Sequence, residues 1–295
     1  MTDFSSEKKV TIAHFSDLHF TGKNERYQLE KLDRMLGEFV RRGYDHLVIT
    51  GDLIDTAVPE HWDIVRDALM RHGLFDWHRT SVIPGNHDLI NLEEEMRFYN
   101  ALHPDENTRQ RRINTRLQRF IDLFSPLVTG AGESGATLPY VKVMRFGDIS
   151  LSMVAVNSTL PWSGSDNPLG ARGSVSRETL HALMDSEVIQ AIQGSFVIGL
   201  CHHAYKVYGT GGLVDQAFDW TMEFKNRDEY LKVMKKLGAS LVLHGHFHRF
   251  QIYIVEDVTF INGGSFRYFP ERYGELTIGA EGKWSHRFVN LSFGR

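Results

Sequence analysis

One cysteine in 295 residues, Cys201, leaves no partner for an intramolecular disulfide and no thiolate set for a structural zinc site. It reads as a small buried hydrophobe at a strand end. No apolar run approaches the roughly 20 residues that span a bilayer, so no transmembrane segment is expected. The stretch Met1 to Lys9 has no apolar signal-peptide core, which makes the cytoplasm the expected location. Basic residues are not in excess either. Lys and Arg number 33 against 37 Asp and Glu, a net charge of −4, so no global attraction draws the chain to nucleic acid or anionic membrane. Any anion must be bound locally. Internal repeats, low-complexity tracts and linkers are also missing.

What the chain does have is a series of metal-binding side chains, each placed where an apolar, strand-like run gives way to a turn. Asp17 and His19 follow Val10 to Phe15, and Asp52 and Asp55 follow Leu47 to Ile49. Asn86, His87 and Asp88 come after Val82 and Ile83, His202 and His203 after Phe196 to Cys201, and His246 and His248 after Leu241 to Leu243. In an α/β sheet neighbouring strand ends lie side by side, so groups distant in sequence can share one pocket. Any one of these runs could be a cap or a turn. Their joint occurrence points to metal binding, and carboxylate, amide and imidazole without thiolate favour Mn, Fe or Zn in an open site.

At these residues the sequence resembles the calcineurin-like metallophosphoesterases, with a bacterial class III phosphodiesterase-like cast. The blocks are Asp17-Leu18-His19, Gly51-Asp52-Leu53-Ile54-Asp55, Gly85-Asn86-His87-Asp88, His202 and Gly245-His246-Phe247-His248. The stretch Asn262-Gly263-Gly264-Ser265 looks like the loop that follows them in the family. The resemblance implies an α/β fold of two packed mixed β-sheets flanked by helices, a four-layer αββα sandwich, and a single domain over residues 1–295. It also implies two divalent or mixed-valence transition-metal ions. Asp17, His19, Asp52 and His248 would hold one ion; Asp52, Asn86, His202 and His246 would hold the other, with Asp52 as the bridge.

The implied reaction is hydrolysis of a phosphodiester or related phosphate ester by attack of a metal-bridging hydroxide. His87 is the expected proton donor to the leaving group, oriented by Asp55, with Asp88 competing for that partnership. The expected substrate is a small phosphorylated molecule, nucleotide-linked or lipid-linked. A DNA nuclease of the same superfamily is the alternative, although net acidity offers no phosphate track and no stable nucleic-acid complex is expected. A catalytically silent scaffold of the same fold is another. One departure from the commonest pattern is Ala204, where related phosphodiesterases usually carry proline. His203 beside it reads equally as a substrate contact or a packed strand-end residue.

Apolar spacing predicts strand 10–15, a helix from about Tyr27 to Arg41, strand 46–50, a helix from about Glu60 to His72 and strand 80–84. Leu29, Leu32, Leu36, Phe39 and Val40 read as core, as do Val65, Ala68 and Leu69. Strands are predicted at 140–146, 149–156, 196–201, 239–243, 250–255, 258–262, 274–279 and 285–292. Helices are expected near Ser176 and after Asn226, whose spacing to Glu229 is that of a capping box. Residues 89–139 form an insertion that could serve as a lid. Its stretch from Asn107 to Phe124 puts Ile113, Leu117, Phe120, Ile121 and Phe124 on one helical face, with Arg109, Arg112, Arg116 and Arg119 in a stripe beside it that reads first as a solvated basic face on a packed helix and otherwise as a wall offering guanidinium groups to a phosphorylated or lipid-linked substrate. Gly130, Gly132 and Gly135 then mark a turning loop. Gly209, Gly211 and Gly212 form a second one, which reads first as a plain surface loop and otherwise as one that carries Tyr205, Lys206 and Tyr208 over the site.

Overall fold

Strands that are apolar along their whole length belong to sheets covered on both faces. The computed structural model describes residues 9–21, 25–102, 106–129, 135–206 and 219–291. In β1 (Val10–Phe15), Val10 and Ile12 face one apolar core while Ala13 and Phe15 face another. The strand therefore lies between two layers. It pairs in parallel with β2 (His46–Ile49), which pairs in parallel with β3 (Thr80–Val82). On its other side stand antiparallel β10 (Arg272–Ile278) and β11 (Trp284–Asn290), completing a five-stranded mixed sheet.

The second sheet has six strands in the order β4 (Tyr140–Phe146), β5 (Ile149–Ala155), β6 (Phe196–Leu200), β7 (Ala239–His244), β9 (Val258–Gly263) and β8 (Phe250–Val255). Strands β5, β6, β7 and β9 run parallel, and β4 and β8 close the edges antiparallel. Leu241, Leu243 and Ile261 meet Val10, Ile12 and Val48 in the core between the sheets. Outside the first sheet lie α1 (Glu25–Arg42), α2 (Trp62–Arg71) and α5 (Glu106–Val128), through Leu36, Phe39, Val65 and Phe124 among others. Outside the second lie α6 (Arg177–Ala182), α7 (Ser186–Ala191) and α8 (Arg227–Lys236). The result is a four-layer αββα sandwich. Short α3 (Asn86–Leu89) and α4 (Leu92–Leu102) connect β3 to α5.

Most expected elements occur within a few residues of their predicted limits, but not every expectation about single residues holds. Val40 is 45% exposed rather than core. Leu32, Met35, Leu36 and Phe39 already fill the buried face, and a turn of about 100° per residue carries Val40 past it. Asn226 does not cap α8 with its side chain. Its carboxamide instead accepts from Ser174 Oγ and Val175 N and donates to Val175 O, joining α8 to the segment before α6. The arginine stripe, finally, is not a row of free cations. Arg112 pairs with buried Glu95, while Arg116 pairs with Glu94 and donates to Leu89 O. Both clamp α5 to α4. Arg109 lines a cavity of about 780 Å³ with Trp162, whereas Arg119 lines a different one of about 420 Å³ beside Pro59.

Gly135 is described, with φ 91°. Gly130, Gly132, Tyr208, Gly209, Gly211 and Gly212 lie outside the described residues. Tyr205 is buried; its amide donates to Tyr253 Oη at 3.1 Å and its hydroxyl to Asp228, so it is anchored rather than poised to swing. No helix among the described residues is long and apolar enough to cross a membrane.

Candidate metal centre

Parallel strands of both sheets end at one place, and the turns after β1, β2, β3, β6 and β7 converge there. Asp17, His19 and His248 bring ligand atoms within 4.8 Å of one another, and so do Asp52, His202 and His246. Asp52 stands between the two groups. Its Oδ2 is 3.2 Å from His202 Nε2 and 3.7 Å from His19 Nε2, while its Oδ1 accepts the amide of His87 at 2.9 Å. Asn86 joins the second group, its Oδ1 lying 3.1 Å from His246 Nδ1.

Close glycine packing makes this convergence possible. A Cβ on Gly85 would sit 2.1 Å from Asp52 Oδ1, and one on Gly245 would sit 2.4 Å from Asp17 Oδ2. Neither site tolerates a side chain. Asp17, His19, Asp52, His246 and His248 all have positive φ, between 48° and 73°, a conformation that costs an L-residue about 1 kcal/mol or more. Backbone hydrogen bonds hold two of these turns open: Asp17 N donates to Gly51 O at 3.1 Å and His19 N to Asp52 O at 2.9 Å.

The donor set fits transition-metal ions. His202 Nε2 and His246 Nε2 are buried without a hydrogen-bond partner, although His202 Nε2 lies near the Asp52 carboxylate. His19 Nε2 and His248 Nε2 approach to 3.0 Å, and His248 Nε2 is also 3.0 Å from Asp17 Oδ1. Buried nitrogen and oxygen lone pairs crowded in this way need a cation or protons among them. Desolvation works to raise the Asp17 and Asp52 carboxyls, but the surrounding histidines hold both below the ordinary range. In return, despite their own burial, His19 is raised to about 10 and His202 to about 9 by these carboxylates. His246, desolvated and next to His202, falls to about 3. Cations entering the cluster would displace the protons on His19 and His202.

Partners outside the ligand set fix the ring orientations. Thr50 O lies 2.7 Å from His202 Nδ1, which turns Nε2 toward Asp52. Asp55 Oδ1 lies 3.1 Å from His19 Nδ1, close enough for an ion pair although off the hydrogen-bond line, a placement from which a carboxylate would steady a histidine ligand. Here the geometry departs from the expected pairing. His87 Nδ1 meets the backbone carbonyl of Asp55 at 2.8 Å, while the Asp55 carboxylate is 3.9 Å away. Asp88 does not serve His87 either. Its buried carboxylate accepts from Leu53, Ile54 and Gly85 amides and from Trp62 Nε1, tying the turns after β2 and β3 together. Burial and the nearby Asp52 push its carboxyl up to about 7 against the pull of these donors.

His203 is buried, hydrogen-bonded through Nδ1 to Ser158 Oγ at 2.8 Å and set against Gly173 and Phe224, while its ring lies 4.4 Å from that of His246 and its Nε2 has no hydrogen-bond partner among the described residues. Ser158 Oγ also accepts the amides of His202 and His203. No spacing in the sequence marks Ser158. Arg267 was also not foreseen, although it follows the recognisable Asn262–Ser265 loop by two residues; its Nη1 donates to Asp55 Oδ1 at 2.8 Å. Cys201 is buried as expected, and desolvation pushes its thiol up to about 12.

The profile of the calcineurin-like phosphoesterases matches residues 10–250. No curated protein matches the sequence. Among solved structures, a dimetal phosphatase from Danio rerio superposes with a TM-score of 0.56 at 12% identity, over 96% of this chain and 99% of that one. GAP50, the anchor in the inner membrane complex of Plasmodium, gives 0.54 at 12% identity over 98% and 87%. A purple acid phosphatase from yellow lupin seeds gives 0.50 at 10% identity, over 98% of this chain and 55% of that one. These likenesses concern the fold. With the profile covering most of the chain and its residues gathered at one site, the protein belongs to the calcineurin-like phosphoesterases.

Proposed function

We propose that this protein is a dinuclear metal-dependent hydrolase of phosphate esters, most suited to a small phosphodiester. The observation that carries the reading is Asp52 Oδ2 standing between two ligand groups built from both sheets. Asp17, His19, Asp52 and His248 would hold one ion, and Asp52, Asn86, His202 and His246 the other. Bound there, Mn, Fe or Zn supplies Lewis acidity toward water and phosphoryl oxygen.

The chain's own residues do the rest. Nδ1 of His87 faces a carbonyl, which can only accept, so Nδ1 keeps its proton throughout; Nε2 is the atom that takes up a second proton from solvent and, as imidazolium, passes it to the leaving oxygen. The side chain is 42% exposed, and its ring sits 4.7 Å from that of His19, within reach of a substrate held at the ligand groups. Asp55 orients His19 through its carboxylate and His87 through its carbonyl. A scaffold without chemistry would have no use for an exposed imidazole fixed in one tautomer beside a complete ligand set.

His87→Ala should slow hydrolysis of an alkyl phosphodiester by about 10²- to 10⁴-fold and of a nitrophenyl diester far less, since only the poor leaving group needs a proton. Kinetics at equal metal content decide the matter; equal losses on both substrates would take His87 out of that role.

A further inference from the structure

Tyr268 is 60% exposed beside the half-buried His248 of the first ligand group, and its neighbour Arg267 is also exposed. Neither is there by accident of a loose loop. Phe266, the residue before them, is buried against Phe15. Phe266 N donates to Ser16 O at 2.9 Å, Arg267 N to Asp17 O at 3.1 Å and Ser265 Oγ to Asp17 O at 3.2 Å. The turn carrying both side chains is thus bonded to the backbone of Asp17, a residue of the first ligand group. Arg267 and Tyr268 are held in register with that group.

Their side chains complete a rim. The Tyr268 ring lies 5.4 Å from the ring of His248, and the Arg267 guanidinium lies 6.0 Å from the Tyr268 centroid. Arg267 spends one N–H on Asp55 Oδ1, the same oxygen that faces His19. A guanidinium has five N–H donors in a planar fork, so the others remain for a second anion. An exposed aromatic face next to such a fork, at the mouth of a phosphoryl site, matches an ester that is both anionic and flat.

We propose that Arg267 and Tyr268 select the substrate: Arg267 contacts a non-bridging phosphoryl oxygen, and Tyr268 stacks on a planar ring carried by the ester, as in a nucleoside or aryl phosphate. The proposal is built on the phosphoesterase reading above, but binding and hydrolysis are measured separately, so the two can fail separately. Product analogues test it in the manganese-loaded protein. Calorimetry measures the affinity of phenyl phosphate, methyl phosphate and inorganic phosphate for the native chain, Arg267→Met, Arg267→Lys, Tyr268→Ala and Tyr268→Phe, with metal content determined for each.

Tyr268→Ala should weaken phenyl phosphate by about tenfold and leave methyl phosphate and inorganic phosphate unchanged, with Tyr268→Phe restoring the native preference. Arg267→Met should weaken all three anions by about tenfold at unchanged metal content, and Arg267→Lys by less. Equal effects of Tyr268→Ala on phenyl and methyl phosphate, or none, overturn the stacking role. Loss of metal in Arg267→Met, with phosphate affinity per bound metal unchanged, overturns the contact and leaves Arg267 as a positioning residue for Asp55. Should the native holoenzyme prefer phenyl phosphate yet hydrolyse no phosphate ester, the rim stands and the enzymatic reading falls.

Discussion

Asp55 reaches two histidines through different atoms, and the difference separates two roles. Its carboxylate faces His19 and its carbonyl faces His87, so a change confined to the carboxylate should act on His19, proposed above as a metal ligand. Asp55→Asn is expected to weaken metal affinity by about 10- to 100-fold, as removal of a ligand's supporting partner does. Leaving-group sensitivity should survive. Competition with a chelator reads the first and kinetics at saturating metal the second; intact affinity with lost sensitivity would show that the carboxylate serves His87 after all. Gly85 gives a sharper case. A methyl group there would overlap Asp52 Oδ1 and crowd Asp52 N, so Gly85→Ala should lower bound metal below two ions per chain. Two ions retained at native affinity would mean that the turn can yield. The side chains of the centre were legible in the sequence because ligand chemistry sits in short blocks at strand ends. Their supporting partners were not: Ser158, Thr50 and Arg267 act through a hydroxyl, a carbonyl and a guanidinium whose aim only tertiary contacts decide.

Among the elements, α5 shows how one helix face divides its labour. Glu95 is only 2% exposed and receives Arg112 Nε and Nη2, with Arg116 Nη1 within 3.6 Å. Removing Arg112 leaves this buried carboxylate with only the Arg116 guanidinium at 3.6 Å, so Arg112→Gln should destabilise the fold by about 1.5–3 kcal/mol. Arg119 is exposed, with no carboxylate partner among the described residues, and Arg119→Gln should cost about 0.5 kcal/mol or less. Urea denaturation of the two variants tests the contrast; equal midpoints would reduce the Arg112–Glu95 pair to surface decoration. Helical periodicity located α5 and its buried face, and fully apolar runs located the parallel strands. It did not find α4, whose large apolar side chains Met96, Phe98 and Tyr99 stay exposed while the charged Glu95 is the one it buries. Nor could it tell a free arginine from a paired one. The residues that neutralise Arg112 and Arg116 lie 17 and 22 positions away, on another helix.

At the scale of the whole molecule, the two sheets meet along one edge through a buried lysine. Lys142 of β4 donates to Trp77 O at 3.0 Å and to Thr80 O at 2.7 Å at the start of β3, while Tyr140 Oη donates to Val82 O. Desolvation lowers the Lys142 ammonium from its ordinary 10.5 to about 7. The unfolded chain therefore keeps this proton to higher pH than the folded one, and between those values folding releases it. Stability contributed here should rise with pH above about 7, by at most about 1.4 kcal/mol per pH unit. The raised Cys201 thiol acts in the opposite sense only above its ordinary value of 9.0. Urea midpoints at pH 7 and pH 9 should accordingly diverge more in the native chain than in Lys142→Met, and parallel shifts would show that the lysine does not titrate in that window. The convergence of ligands from both sheets has a different consequence, best put in polymer terms. His19 and His248 are 229 residues apart in sequence, and Asn86 and His246 are 160 apart. An ion joining either pair closes a very long loop, and closure entropy grows only with the logarithm of loop length, so both closures constrain the unfolded chain almost equally. Cys201 has no cysteine to pair with. Two bound ions would thus serve as detachable cross-links between the halves of the chain, and their number would follow the supply of metal instead of the redox state of the surroundings.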